Sequence, residues 1–121
     1  MKQKIIATIS GRCNSLQYAA DGIVKALHSE MNMRVHFIAT IVVVITGLCK
    51  GLVAWQWVAL TIVVGMVWMA EMINTAIEIL CNLVCDNRFH PTVKTIKDIS
   101  AGAVLVAAIV SVITGIFVFT F

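Results

Sequence analysis

The run WVALTIVVGMVWMAEMINTAIEIL, Trp57 to Leu80, places two carboxylates and an amide inside a segment otherwise soluble in lipid. An ionised acid deep in a membrane helix costs about 2.5–3.5 kcal/mol on insertion scales, so Glu71 and Glu78 require compensation by a metal, a cation or a substrate. At about 100° per residue, Glu71, Asn74 and Glu78 fall within roughly 60° of one another and form one polar stripe. The two acids stand about 10 Å apart along the axis, too far to share one proton, so they are expected to hold different roles.

Composition fixes the setting of that stripe. Of 121 residues, 60% are hydrophobic and only 12% charged, with a mean hydropathy of +0.98, which is too apolar for a soluble domain of this size. The expected fold is an all-α integral membrane protein forming a single membrane-embedded domain over residues 1–121. Three membrane helices, at about 33–49, 52–82 and 97–121, are preceded by an amphipathic surface helix at 15–31. In that surface helix Leu16, Ala20, Ile23, Leu27 and Met31 recur at helical spacing behind Ser15 as N-cap, which brings Glu30 towards the ends of the spans.

The basic residues orient the spans. Lys2, Lys4, Arg12, Lys25 and Arg34 precede the first span and Arg88, Lys94 and Lys97 precede the third, whereas Lys50 alone lies between the first and second. The positive-inside rule puts the N-terminus and the Asn82–Asp98 segment in the cytoplasm and the C-terminus outside, with Trp55 and Trp57 as outer interfacial anchors. The uncharged run from Gly51 to Ala70 covers about 30 Å, which sets Glu71 at the inner membrane boundary rather than the midplane. There it can meet a water-soluble partner and a lipid headgroup together.

The N-terminal IIATI is too short for a secretory signal, so the mature chain is expected to begin at Met1. Cys13, Cys49, Cys81 and Cys85 lack metal-site spacing and read as reduced thiols. His28 and His36 read as interfacial polar residues, and Asn74 taken singly could be interhelical glue. Gly102, Ala103, Ala107 and Ala108 read as packing positions without chemistry. The segment CDNRFHPTVKTIKD, Cys85 to Asp98, adds cations and an acid on the same side as Glu71 and Glu78, and Pro91 marks a turn or helix start. Positive charge for phosphate oxygens and carboxylates for magnesium are what a bound polyphosphate needs. No Walker A loop, kinase glycine-rich loop or H-R-D is present, which excludes the common nucleotide-binding folds.

Three motifs together are specific. Gly22, Ile23, Ala26, Glu30, Asn32, Arg34 and His36 form GI-x2-A-x3-E-x-N-x-R-x-H, Glu71 to Glu78 reads EMINTAIE, and Phe89 to Ala108 reads FHP-x5-KD-x2-AGAVL-x-AA. The combination closely resembles the bacterial diacylglycerol kinase family, which includes undecaprenol kinases, from about Ser15 to the C-terminus. The resemblance implies an ATP- and Mg2+-dependent lipid kinase of the bacterial inner membrane, a homotrimer with active sites shared between subunits, and no nucleic-acid partner. It implies Glu71 as catalytic base, Asn74 as the orienting amide, and Glu30 and Glu78 as magnesium ligands at the ATP site. Tyr18, His90, Lys97 and Asp98 match positions that line the nucleotide. Gly11 falls where some members carry an arginine, with Arg12 one residue later, and Asn82 falls where many carry an aspartate. The variant around Glu30 and the His90–Pro91 pair look more like undecaprenol kinases, with diacylglycerol as the other acceptor. The rival readings are a small proton-coupled transporter and a non-catalytic membrane subunit, and neither requires three acids and a Lys-Asp pair on one rim.

Overall fold

A computed structural model describes residues 1–121 as four helices without strands: α1 Lys2–Ser29, α2 Met31–Lys50, α3 Ala54–Val84 and α4 Pro91–Thr120. The last three are long and apolar enough to cross a membrane. At about 1.5 Å per residue α2 is about 30 Å long, the thickness of a hydrocarbon core, whereas α3 and α4 each run to about 45 Å. The α3–α4 hairpin must therefore project beyond α2, and it does so where α1 joins α2.

Each junction has a local cause. Gly51 ends α2 in the left-handed conformation at φ +66°, a position that a β-carbon strains, and the chain reverses within Gly51–Val53. The α3–α4 loop turns through Asp86 and Asn87 at φ 53° and 57°, the residue types that tolerate left-handed backbone best after glycine. Pro91 then opens α4 at a position where its missing N–H is harmless, and the His90 Nδ1 caps that helix by accepting from the Thr92 N–H at 3.1 Å.

Side chains fix the antiparallel register. Thr40 Oγ1 accepts from Trp68 Nε1 at 3.0 Å, and Gly47 leaves space for the Trp57 ring. At the far end, the carbonyls that terminate α4 would be costly to leave bare in lipid. Gln56 Nε2 donates to the Val118 carbonyl at 3.0 Å and Lys50 Nζ to that of Phe119 at 3.1 Å. The Gln56 Oε1 accepts from the Val53 N–H at 2.9 Å, so one buried amide closes the start of α3 and the end of α4 together.

Four sequence expectations shift. The first helix begins at Lys2 rather than Ser15, which is interior and donates its hydroxyl to the Gly11 carbonyl at 3.0 Å. Alanine, lysine, glutamine and isoleucine tolerate helix well enough to carry it past Gly11. The second helix opens at Met31, so the short apolar run is completed by its flanks, and the fourth opens at Pro91 rather than near residue 97. The third begins at Ala54, so only about 25 Å of helix lies between there and Ala70. Trp57 is half-buried against Gly47, whereas Trp55 is exposed.

A β-carbon on Gly47 would stand 2.7 Å from Trp57 Cη2. Gly47→Ala is expected to destabilise the bundle by about 1–3 kcal/mol, read by denaturant unfolding in detergent, with Trp57→Phe in the same chain recovering most of the loss.

Candidate active site

The stripe on α3 faces the bundle. Glu71 is 2% exposed, Asn74 and Thr75 are buried and Glu78 is half-buried, whereas Ile73, Ile79 and Leu80 point outward. Glu71 Oε2 lies 3.5 Å from His36 Nε2 on α2, and no lysine or arginine nitrogen comes within 4 Å of it. The Asn74 Oδ1 is buried without a hydrogen-bond partner. An orphaned acceptor costs about 1–3 kcal/mol, so this oxygen is not interhelical glue in the subunit described.

Glu30 occupies the break between α1 and α2 with extended backbone, at φ −111° and ψ 121°. The elbow is held by Arg34, whose Nε donates to the Leu27 carbonyl at 3.0 Å and whose Nη2 donates to that of His28 at 2.6 Å. One guanidinium thus satisfies two terminal carbonyls of α1, and Met33, its neighbour in sequence, is fully buried. Arg34 of the E-x-N-x-R-x-H motif therefore aims the chain that carries Glu30. The antiparallel register that pairs Thr40 with Trp68 and His36 with Glu71 brings Glu30 to the axial level of Glu78.

Beyond Glu78 the chemistry turns cationic. Lys97 Nζ on α4 donates to Asn82 Oδ1 on α3 at 2.6 Å, a neutral partner that positions the ammonium without cancelling its charge. An aspartate at residue 82 would have paired with it. Lys94 is paired with Asp98 at 2.6 Å on the exposed side of the helix. Arg88, His90, Lys94 and Lys97 line an open pocket of about 390 Å³ with no acidic side chain in its wall. From Glu71 to Asn82 the axial distance is about 16 Å, so carboxylate, amide, second carboxylate and cation follow one another along one edge of the hairpin.

The expected residues are therefore gathered unequally. Helical spacing brings Glu71, Asn74 and Glu78 together, and the α3–α4 register brings Lys97 to the end of their stripe. Asp98 is exposed and held by Lys94, His90 is exposed at the start of α4, and Tyr18 is 71% exposed on α1 without a hydrogen bond. His36, Arg34 and Asn82 join the site without having been picked out as members of it. Their partners lie on other helices, and periodicity within one helix carries no sign of them.

No three His, Cys, Asp or Glu side chains cage a metal ion by themselves. Magnesium commonly takes only one or two carboxylates, with phosphate and water completing the shell. Glu78 and Glu30 at one level, with the unpartnered Asn74 oxygen nearby on the same face, are hard oxygen donors that suit it. The four cysteines are free thiols.

The family profile described as prokaryotic diacylglycerol kinase matches residues 17–119. An undecaprenol kinase from Bacillus subtilis (strain 168) is 35% identical over 105 residues, which cover 87% of this chain and 85% of that protein. A diacylglycerol kinase from Synechocystis sp. is 34% identical over 101 residues, which cover 84% of this chain and 58% of that protein.

Because the Asn74 carbonyl is an unpaired burden to the fold, Asn74→Leu is expected to leave the unfolding midpoint in detergent unchanged or higher. A loss above about 1 kcal/mol would identify the amide as a structural tie.

Proposed function

This chain belongs to the prokaryotic diacylglycerol kinase family and is a lipid kinase, and on that footing we propose that it transfers the γ-phosphoryl group of ATP to the primary hydroxyl of undecaprenol with the help of Mg2+. The observation that carries this reading is the buried Glu71 at one end of a polar edge that leads past Asn74 and Glu78 to the uncancelled charge of Lys97. A lipid hydroxyl delivered from the bilayer and a polyphosphate delivered from water can meet along such an edge.

In the proposed step the Glu71 carboxylate accepts the hydroxyl proton as the lipid oxygen attacks the γ-phosphorus. The bond to the bridging oxygen breaks, and that oxygen leaves with ADP. Phosphoryl transfer demands mainly alignment and neutralisation of charge. Asn74 orients the reacting groups, and the Lys97 ammonium draws phosphate oxygens. Tyr18 and His90 border the nucleotide, and Asp98 holds its polar groups when released from Lys94. Glu78 and Glu30 would hold Mg2+, which supplies screening of the polyphosphate charge.

The E-x-N-x-R-x-H sequence around Glu30 and the 35% identity to the Bacillus enzyme support undecaprenol as acceptor. Diacylglycerol is the second reading, supported by the 34% identity to the Synechocystis enzyme. The basic residues support an inner-membrane topology with α1 and the α3–α4 loop in the cytoplasm and the C-terminus outside. Membership of the family is the support for a homotrimer with active sites shared between neighbours.

Purified protein with Mg2+ and γ-labelled ATP should label undecaprenol in preference to diacylglycerol when each is offered alone. Labelling of diacylglycerol only would reverse the choice, and labelling of neither would refute the reading. Glu71→Gln is expected to lower turnover by at least about 100-fold while nucleotide binding, followed by fluorescence titration, stays within about twofold. Glu78→Gln should move the Mg2+ activation midpoint several-fold upward; an unchanged titration would remove it from the metal site.

A further inference from the structure

We propose that His36 is a positioning residue for Glu71: its Nε2–H donates to Glu71 Oε2, leaving Oε1 to face the acceptor hydroxyl. The inference rests on the proposed role of Glu71 as base. A carboxylate 2% exposed, with no lysine or arginine within 4 Å, has an imidazole 3.5 Å from one oxygen. At 3.5 Å the pair lies within ion-pair range but outside the 2.7–3.2 Å of an N–H···O hydrogen bond, and the proposed bond forms by the tightening that catalytic contacts commonly undergo when substrate arrives.

Two observations separate this contact from incidental packing. One turn away, Trp68 Nε1 donates to Thr40 Oγ1 at 3.0 Å, and the Thr40 hydroxyl in turn donates to the His36 carbonyl at 2.7 Å. This chain runs from the residue three before Glu71 to the backbone of His36, so the two side chains are set against each other by a rung that already supplies polar adhesion between α2 and α3. His36 also borders a cavity of about 120 Å³ together with Thr40, Trp68 and Ser111. The imidazole is half-buried and keeps open space on one side.

The mechanism gives that placement a consequence. A carboxylate free to rotate would present either oxygen in many directions, and a misplacement of about 1 Å can cost on the order of 100-fold in rate. An N–H donor at that place fixes one oxygen and aims the other. A lysine there would instead pair with the base and lower its affinity for the proton.

The test uses His36→Leu, which removes the donor, and His36→Gln, which restores an N–H donor. With ATP, Mg2+ and the lipid that the wild-type protein phosphorylates, His36→Leu should lower kcat by about 10- to 100-fold with both KM values within about twofold, and His36→Gln should regain most of that loss. Loss of less than threefold in His36→Leu, or equal loss in both variants, would overturn the proposal. The chain has only three histidines, so the ring resonances of His28, His36 and His90 can be followed by NMR in micelles without reference to activity. Glu71→Gln should shift the His36 signals and leave those of His28 and His90 in place, whereas unmoved His36 signals would overturn the proposal even where the His36 variants do not fold. If neither lipid is phosphorylated, the kinase step itself fails, and the NMR result still decides whether the contact exists.

Discussion

The register between α2 and α3 governs the rest of the molecule. Gly47 against Trp57, Thr40 against Trp68 and His36 against Glu71 are successive rungs between antiparallel helices. Because α2 is about 30 Å long and α3 about 45 Å, that register also determines which part of α3 leaves the apolar layer. The portion beyond the start of α2 carries Glu78 and Asn82. A slip of one helical turn would part Glu71 from His36 and lower Glu30 away from the level of Glu78.

Polar groups elsewhere in this bundle are nearly all tied. Lys50 and Gln56 close the end of α4, Arg34 closes the end of α1, and serine and threonine hydroxyls return to carbonyls of their own helices. Against that background the unpaired Asn74 oxygen and the neutral partner of Lys97 stand apart. Both are incomplete in the way a binding site is incomplete, an acceptor waiting for a donor and a cation waiting for an anion. The proposed phosphoryl transfer would use both on one edge, whereas adhesion between helices requires neither.

How far the sequence foretold this depends on whether a signal lies within one helix or between two. The stripe of Glu71, Asn74 and Glu78 was legible because its members share a helix with a fixed 3.6-residue period. The three long apolar helices followed from hydropathy, and the family from the motifs around Glu30, Glu71 and Lys97. The inward turn of Trp57, the capping of α1 by Arg34 and the contact of His36 with Glu71 were not legible, since each depends on a partner set by packing. Helix ends were also displaced: Ser15 resembles an N-cap by type, but the neighbouring turns continued the helix through it.

The proposed mechanism depends on the acids of α3 opening to the compartment that holds ATP. Accessibility of single cysteines to a membrane-impermeant maleimide tests this most directly, in chains whose native cysteines are replaced and a thiol is placed at Asn87 in the α3–α4 loop or at Val53 in the α2–α3 turn. In intact cells the thiol at residue 53 should be labelled and that at residue 87 protected, with the pattern reversed in inside-out vesicles. Labelling of residue 87 from outside intact cells, with residue 53 protected, would place Glu71 and Glu78 towards the exterior and contradict the account.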